Sequence, residues 1–226
     1  MQAFNFRDFI GYLGNVYMLQ GALVTLELTL ATVAGGMVLG GLVAAMRMSK
    51  AQAISLLAKF YLWLFRGTPL LIQMVVVYTG LPQLGIRLGV VQSALLALIL
   101  NEAAYLAEII RSGFMGVAAG QREAADSLGL PRWLVIWKIT FPQAFRLMIP
   151  PFGNSVNGLL KATSLASVIS MEELMRRSQM VMQEKFQVLE VFGAAAVFYL
   201  LMTTSWGFVQ RRLERHYGAA TAHEHN

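Results

Sequence analysis

The chain has 226 residues, 57% of them hydrophobic and 13% charged, with a formal net charge of +6. A soluble domain averages about 45–50% apolar and about 25% charged residues, and a core of this size cannot hide the apolar excess from water. The composition excludes a water-soluble globule and points to a membrane protein. The positive balance then reads as loop arginines and lysines that set topology, not as a nucleic-acid surface. With no cysteine there is neither a disulfide framework nor thiolate chemistry.

The opening stretch MQAFNFRDFIGYLG has no basic run ahead of an apolar core and no small-residue cleavage site, so a cleaved signal peptide is rejected. Residues 1–18 are expected to form an extracytoplasmic amphipathic segment at the membrane interface. A helix crosses the hydrocarbon core with about 20 mainly apolar residues. Five stretches qualify, from about Leu19 to Met46, Ile54 to Thr79, Val90 to Ile110, Ala144 to Ile169 and Val188 to Val209. They place a transmembrane domain at residues 19–210 and a polar tail at 211–226.

Within the second stretch, FRGTPLLIQ brings Arg66, Gly67, Thr68 and Pro69 into the span. Proline frees a carbonyl and kinks the helix. Backbone groups exposed at a kink can bind carboxylates or ammonium groups in transporters; a plain kink without a ligand is the alternative. In the third stretch Asn101, Tyr105 and Glu108 share one helical face, and Glu108 is spaced to pair with Arg111. We read that pair as structural. Asn101, Glu102 and Tyr105 offer amide, carboxylate and hydroxyl groups suited to a zwitterionic solute, or equally to packing against a partner subunit.

The loop from about Ser112 to Gln143 is the longest polar interruption. Gln121, Arg122, Glu123, Ala124 and Ala125 begin a helix-competent run, which Gly129 and Pro131 break. A second short helix is predicted from about Arg132 to Ile139, with Leu134, Val135, Trp137 and Ile139 on its apolar face and Pro142 as its end. Two short helices and a turn make a projection suited to a groove on another protein. The fourth stretch carries two prolines, two glycines and Lys161, so it is expected to line a pathway or a partner. Lys161, Thr163 and Ser164 supply polar groups there, although the two hydroxyls can instead bond back to their own helix carbonyls.

Positive residues orient the whole. With the C-terminus inside, cytoplasmic segments hold Arg47, Lys50, Lys59, Arg111, Arg122, Arg132, Lys138, Arg146, Arg211, Arg212 and Arg215, and outside segments only Arg7, Arg87, Arg176, Arg177 and Lys185. The N-terminus is expected outside and the Ser112–Gln143 loop in the cytoplasm.

Glu123-Ala124-Ala125, Gly129, Ile139 and Pro142 resemble the "EAA" loop, EAA-x3-G-x9-I-x-LP, that marks membrane subunits of bacterial ABC importers. Phe141 departs from the usual leucine and stays apolar. FRGTPLLIQ, NEAAYLAEIIRSG, FPQAFRLMIPP and KATSLASVIS, in that order along nearly the whole chain, are similar to the polar amino-acid permeases of the histidine/glutamine/arginine type. The resemblance implies an all-α membrane protein of the type I importer fold, with five transmembrane helices and a short cytoplasmic coupling helix. It also implies a bacterial inner membrane, a second permease subunit, two ATPase subunits and an extracytoplasmic amino-acid-binding protein.

In that scheme Gln121, Arg122, Glu123, Ala124, Ala125, Ser127, Leu128, Gly129, Leu130 and Leu134 dock the ATPase, and the Arg66–Pro69 segment with Gln73 lies along the pathway. Members often carry a charged or polar residue at the position of Ala162; alanine disfavours a pocket for arginine or lysine. No lysine is followed by serine or threonine, so a phosphate-cradling loop is absent and the chain is not expected to be an enzyme. ATP and Mg would bind the partner ATPase, and no cofactor or metal is expected here. His216, His223 and His225 read as a solvated tail. The rival reading, an ATP-independent channel or ion-coupled carrier, asks for inverted repeats with paired broken helices, and no convincing self-similarity is seen.

Overall fold

The computed structural model describes residues 4–218, and among these every regular element is helical. His223 and His225 therefore lie outside the described residues. The short helix α1 (Phe6–Leu13) is capped by Asn5, whose side chain accepts the Arg7 and Asp8 amides. Helix α2 (Val16–Arg47) follows from a second asparagine cap, Asn15. At 32 residues it reaches about 48 Å, more than a hydrocarbon core requires.

Helix α3 (Gln52–Gly67) ends where Pro69 forces Thr68 into extended backbone, φ −118° and ψ 145°. The chain then restarts as α4 (Leu70–Val75), a π-helical turn (Val76–Gly80) and a 3₁₀ turn (Leu81–Leu84). The two halves, Gln52–Gly67 and Leu70–Leu84, meet at 102°. This corrects the expected continuous second span: it is broken, not merely kinked.

Helix α5 (Val90–Met115) is the central element and packs most extensively on α2. Small residues allow the approach. A Cβ on Gly40 would lie 2.9 Å from the Ala103 carbonyl oxygen, so only glycine fits there. Helix α6 (Ala119–Ser127) lies in the long loop. Next comes an unbroken helical run: α7 (Arg132–Leu134), a π-helical segment (Val135–Thr140) and α8 (Phe141–Ala162).

Pro142 does not end the second short helix, as expected from the sequence, but lies inside this run. The wider π register immediately before it absorbs the missing donor. The Gln143 amide donates to the Ile139 carbonyl at 3.0 Å, adding a side-chain bond at the same turn. A 3₁₀ stretch (Thr163–Ile169) ends at Ser170 with φ 65°. Helices α9 (Leu174–Lys185) and α10 (Val188–Gly218) complete the fold. The expected tail is thus helical through its first eight residues.

Three helices among those described, α2, α5 and α10, are long and apolar enough to cross a membrane, and the bent α3–α4 pair makes a fourth if it is one span. Helix α8 has the length, but its prolines and polar side chains leave it below that apolarity. Large side chains such as Leu30, Val38, Trp63 and Phe208 are exposed, as a lipid-facing surface requires.

The extracytoplasmic end predicted from the charge count is fastened by polar contacts that composition alone does not show. Glu173, fully buried, caps α9 by accepting the Met175 and Arg176 amides at 2.8 Å each. It also accepts the Tyr199 and Thr25 hydroxyls at 3.1 and 3.4 Å, so one carboxylate ties α9 to α2 and α10. Arg177 reaches the Tyr17 carbonyl and Gln20 at 3.0 Å. At the start of α10, Glu190 accepts the Asn5 amide at 2.7 Å, holding α1 in place.

Candidate functional site

The proline at 69 has no N–H to give the carbonyl four residues earlier, at Phe65. Two side-chain amides occupy that carbonyl instead: Gln73 Nε2 at 2.9 Å and Asn101 Nδ2 at 3.0 Å. Gln73 also donates to the Thr68 carbonyl and hydroxyl at 3.1 and 2.9 Å, and its Oε1 accepts Asn101 Nδ2 at 3.0 Å. The Thr68 hydroxyl in turn donates to the Leu64 carbonyl at 2.8 Å. The sequence leaves Asn101 open to a solute or to packing, and the family resemblance places Gln73 along the pathway. Gln73 is instead buried, and both amides are engaged with the break itself.

Beside the break, an open groove of about 460 Å³ is lined by Arg66, Tyr105, Glu108, Ser112, Asn154 and Ser155, among others. Arg66 lies 5.5 Å over the Tyr105 ring and 4.0 Å from Glu108. Glu108 makes the expected pair with Arg111, at 2.9 Å to Nη2. The structure thus adds Asn154 and Ser155 of α8 to the sequence-derived candidates, and brings Glu108, which shares a helical face with Tyr105, into the groove. Glu102 is buried, and it accepts the hydroxyl of the groove-lining Ser155 at 2.6 Å.

Further along α8, Asn154, Gly158 and Lys161 remain exposed on one face. Thr163 and Ser164, candidates for the same pathway, give their hydroxyls to the Leu160 and Lys161 carbonyls at 2.9 and 2.7 Å. They follow the alternative anticipated for them, which is bonding back to their own helix. Gly67 has open space where a side chain would be.

The loop site is built differently. Helix α6 buries Ala125 and leaves Gln121, Arg122, Glu123, Ala124 and Ser127 exposed. It begins two residues before the expected start. Gly129, at φ +69°, closes it with a left-handed turn: the Leu130 amide bonds the Ala125 carbonyl at 3.1 Å and the Gly129 amide bonds Asp126 at 3.0 Å. The Ser127 hydroxyl donates to the Glu123 carbonyl at 2.9 Å. Helix α6 then packs against the π-helical segment.

Leu128 is 77% exposed, whereas Leu130 and Leu134 are only partly so. Trp133, Ile136 and Trp137 are also large exposed apolar groups here, and the candidate docking set does not include them. The signal was present for Trp137, which lies on the predicted apolar face. Helix α8 inherits the π-helical segment without a gap, so the loop is joined rigidly to the helix that carries Asn154 and Ser155.

Comparison with known proteins fits this arrangement. Residues 36–218 match the family described as binding-protein-dependent transport system inner membrane component. The glutamine transport system permease protein GlnP of Escherichia coli K12 is 36% identical over 200 residues, covering 88% of this chain and 91% of GlnP. The octopine transport system permease protein OccM of Rhizobium meliloti is 39% identical, covering 88% and 83%.

Among solved structures, an amino acid ABC transporter crystallised with histidines superposes with a TM-score of 0.89 at 32% identity, covering 95% of this chain and all of that one. The MetNI methionine ABC transporter, solved in inward-facing conformations, gives a TM-score of 0.73 at 17% identity and supports the fold. The family works with ATPase and binding-protein partners, and its place is the membrane. The chain belongs to the family of binding-protein-dependent transport system inner membrane components, as a permease subunit of a type I ABC importer and a transport component rather than an enzyme.

Proposed function

We propose that this subunit imports polar amino acids across the bacterial inner membrane by alternating access, with its N-terminus outside and its C-terminus in the cytoplasm. Two such subunits, identical or homologous, enclose the pathway, and an extracytoplasmic binding protein delivers the solute. A separate ATPase binds ATP and Mg and docks on α6 through Glu123 and Arg122 at the rim and Leu128, with Leu130 and Leu134, at the apolar contact. The observation that carries the reading is the exposed α6, closed by Gly129 and packed against the π-helical segment that runs without a gap into α8. A push on α6 is delivered to a helix whose Asn154 and Ser155 line the groove.

Relatives named for glutamine, octopine and amino-acid transport support the substrate class. In the groove, Arg66 offers a cation to a carboxylate, and Glu108 and Tyr105 offer acceptors to an ammonium. The test is reconstitution of the chain with an ATPase and a binding protein, followed by ATPase rates across a panel of solutes. Stimulation by polar amino acids is expected. Stimulation by sugars or metal ions alone would overturn the reading, and uptake that persists without any ATPase would favour the carrier alternative.

A further inference from the structure

A helix interrupted inside a membrane leaves carbonyls that water cannot reach, and each must find a donor within the protein. Pro69 creates that problem twice. It removes the donor for the Phe65 carbonyl, and it forces Thr68 out of helical backbone so that the last turn of α3 is cut short. The bonds described above answer both defects through one chain: Asn101 donates to Gln73, Gln73 to Thr68, and Thr68 to Leu64. The Phe65 carbonyl receives a bond from each amide. Gln73 stands one turn past the break on α4, and Asn101 stands on the central helix α5, 36 residues along the chain from Phe65. The bend is therefore pinned from its own second half and from the helix behind it.

We infer that Gln73 and Asn101 are positioning residues: their amides replace the N–H that Pro69 lacks and hold the second span at its 102° break, so that they act on backbone carbonyls and not on the transported solute. The chemistry of the set supports this. A solute carboxylate would need donors, yet the Gln73 NH₂ already points at the Phe65 and Thr68 carbonyls and the Thr68 hydroxyl, and the Asn101 NH₂ at the Phe65 carbonyl and the Gln73 amide oxygen. The side chain that remains open at the break is Arg66, which faces the groove. Asn101 also immediately precedes Glu102, whose bond to Ser155 secures α8. One turn of α5 thus holds both the broken span and the helix driven by the loop.

The test uses the purified full chain, assembled with its partners for the uptake arm, and the variants Gln73→Leu, Asn101→Leu and Pro69→Ala with the double variant Pro69→Ala/Gln73→Leu. For each single amide variant we expect a melting temperature lower by about 5 °C or more and a fall in maximal uptake of about tenfold. The KM and the order of preference among amino acids should not change. Replacing the proline should then recover most of the melting temperature in the double variant, because the backbone N–H restored at that position serves the Phe65 carbonyl. Uptake should stay low, because the span straightens.

If Gln73→Leu gives too little folded protein to purify, recovery of folded material in the double variant is the same expected result. A wild-type melting temperature with altered KM or altered preference would overturn the inference and make the amides solute ligands. A double variant no more stable than Gln73→Leu alone would also overturn it. The inference uses the transport reading only for its uptake arm. The stability arms stand by themselves, so failure of uptake in the wild-type chain would count against the proposed function and leave the inference to be decided by melting.

Discussion

The two polar interruptions of this apolar chain are built in opposite ways. At the break between α3 and α4, polar side chains face inward and are consumed by one another and by freed carbonyls. At α6, nearly every side chain except Ala125 faces outward. The same residue types, amides, hydroxyls and charges, thus hold shape in one place and present a surface in the other. What separates them is water. Inside the hydrocarbon an unpaired polar group costs several kcal/mol, so the break recruits partners from distant helices. In the loop, water satisfies whatever the protein leaves open, and the side chains are free for a partner chain.

The largest expected effect extends the inward rule to a third place. Glu173→Ala removes an acceptor shared by two amides and two hydroxyls. Losing a cap and leaving buried donors unpaired should destabilise the fold by about 3 kcal/mol. Thermal melting of the detergent-solubilised chain checks this, and a shift no larger than that of an exposed control such as Glu172→Ala would contradict it. The loop should behave in the reverse manner. Gly129→Val places a branched side chain at φ +69°, a local strain of about 1–2 kcal/mol, and re-aims α6. Co-purification of the ATPase and uptake should both fall about tenfold with little change in melting. A collapse of melting instead would mean that the loop is not independent of the bundle.

A smaller effect separates shape from contact within the loop itself. Leu128→Ala and Trp137→Ala leave the turn intact but remove exposed apolar surface. Each should weaken ATPase binding by about 1 kcal/mol, roughly fivefold, while stability moves by less than about 0.5 kcal/mol. Titration of the ATPase against solubilised permease reads the difference. Equal affinity in both variants would move the docking surface away from these side chains.

The sequence carries these regions unequally for the same physical reason. Helix α6 and its turn are decided by neighbours in the chain, so the spacing of Glu123, Ala125 and Gly129 places them correctly. Five apolar stretches read as candidate spans, four of which correspond to a helix or bent pair long and apolar enough to cross a membrane, and the proline at 69 marks an interruption. Its angle could not be read, because it depends on Asn101 meeting Phe65 across 36 residues. Nor could the roles of Gln73, Glu102 and Glu173, since a polar residue in a span looks alike whether it serves a solute or a carbonyl. Pro142 misled for a related reason: a proline ends a helix in isolation, but the π-helical segment before it lets the helix continue.

Arg66 lies on the boundary between the two kinds of region, and its variant should leave stability nearly unchanged. Its side chain is 44% exposed and 4.0 Å from Glu108, which already has the closer partner Arg111. A long, half-exposed pair of that kind contributes about 0–1 kcal/mol, and the 5.5 Å approach to Tyr105 adds little at such exposure. Arg66→Gln should therefore melt within about 0.5 kcal/mol of the parent. If the groove carries the solute, the same variant should raise the KM for amino acids, because the cation that meets their carboxylate is gone. A clear loss of stability with an unchanged KM would place Arg66 with Gln73 and Asn101, as part of the frame. Unaltered melting together with a raised KM would instead set the boundary between frame and pathway at this one side chain.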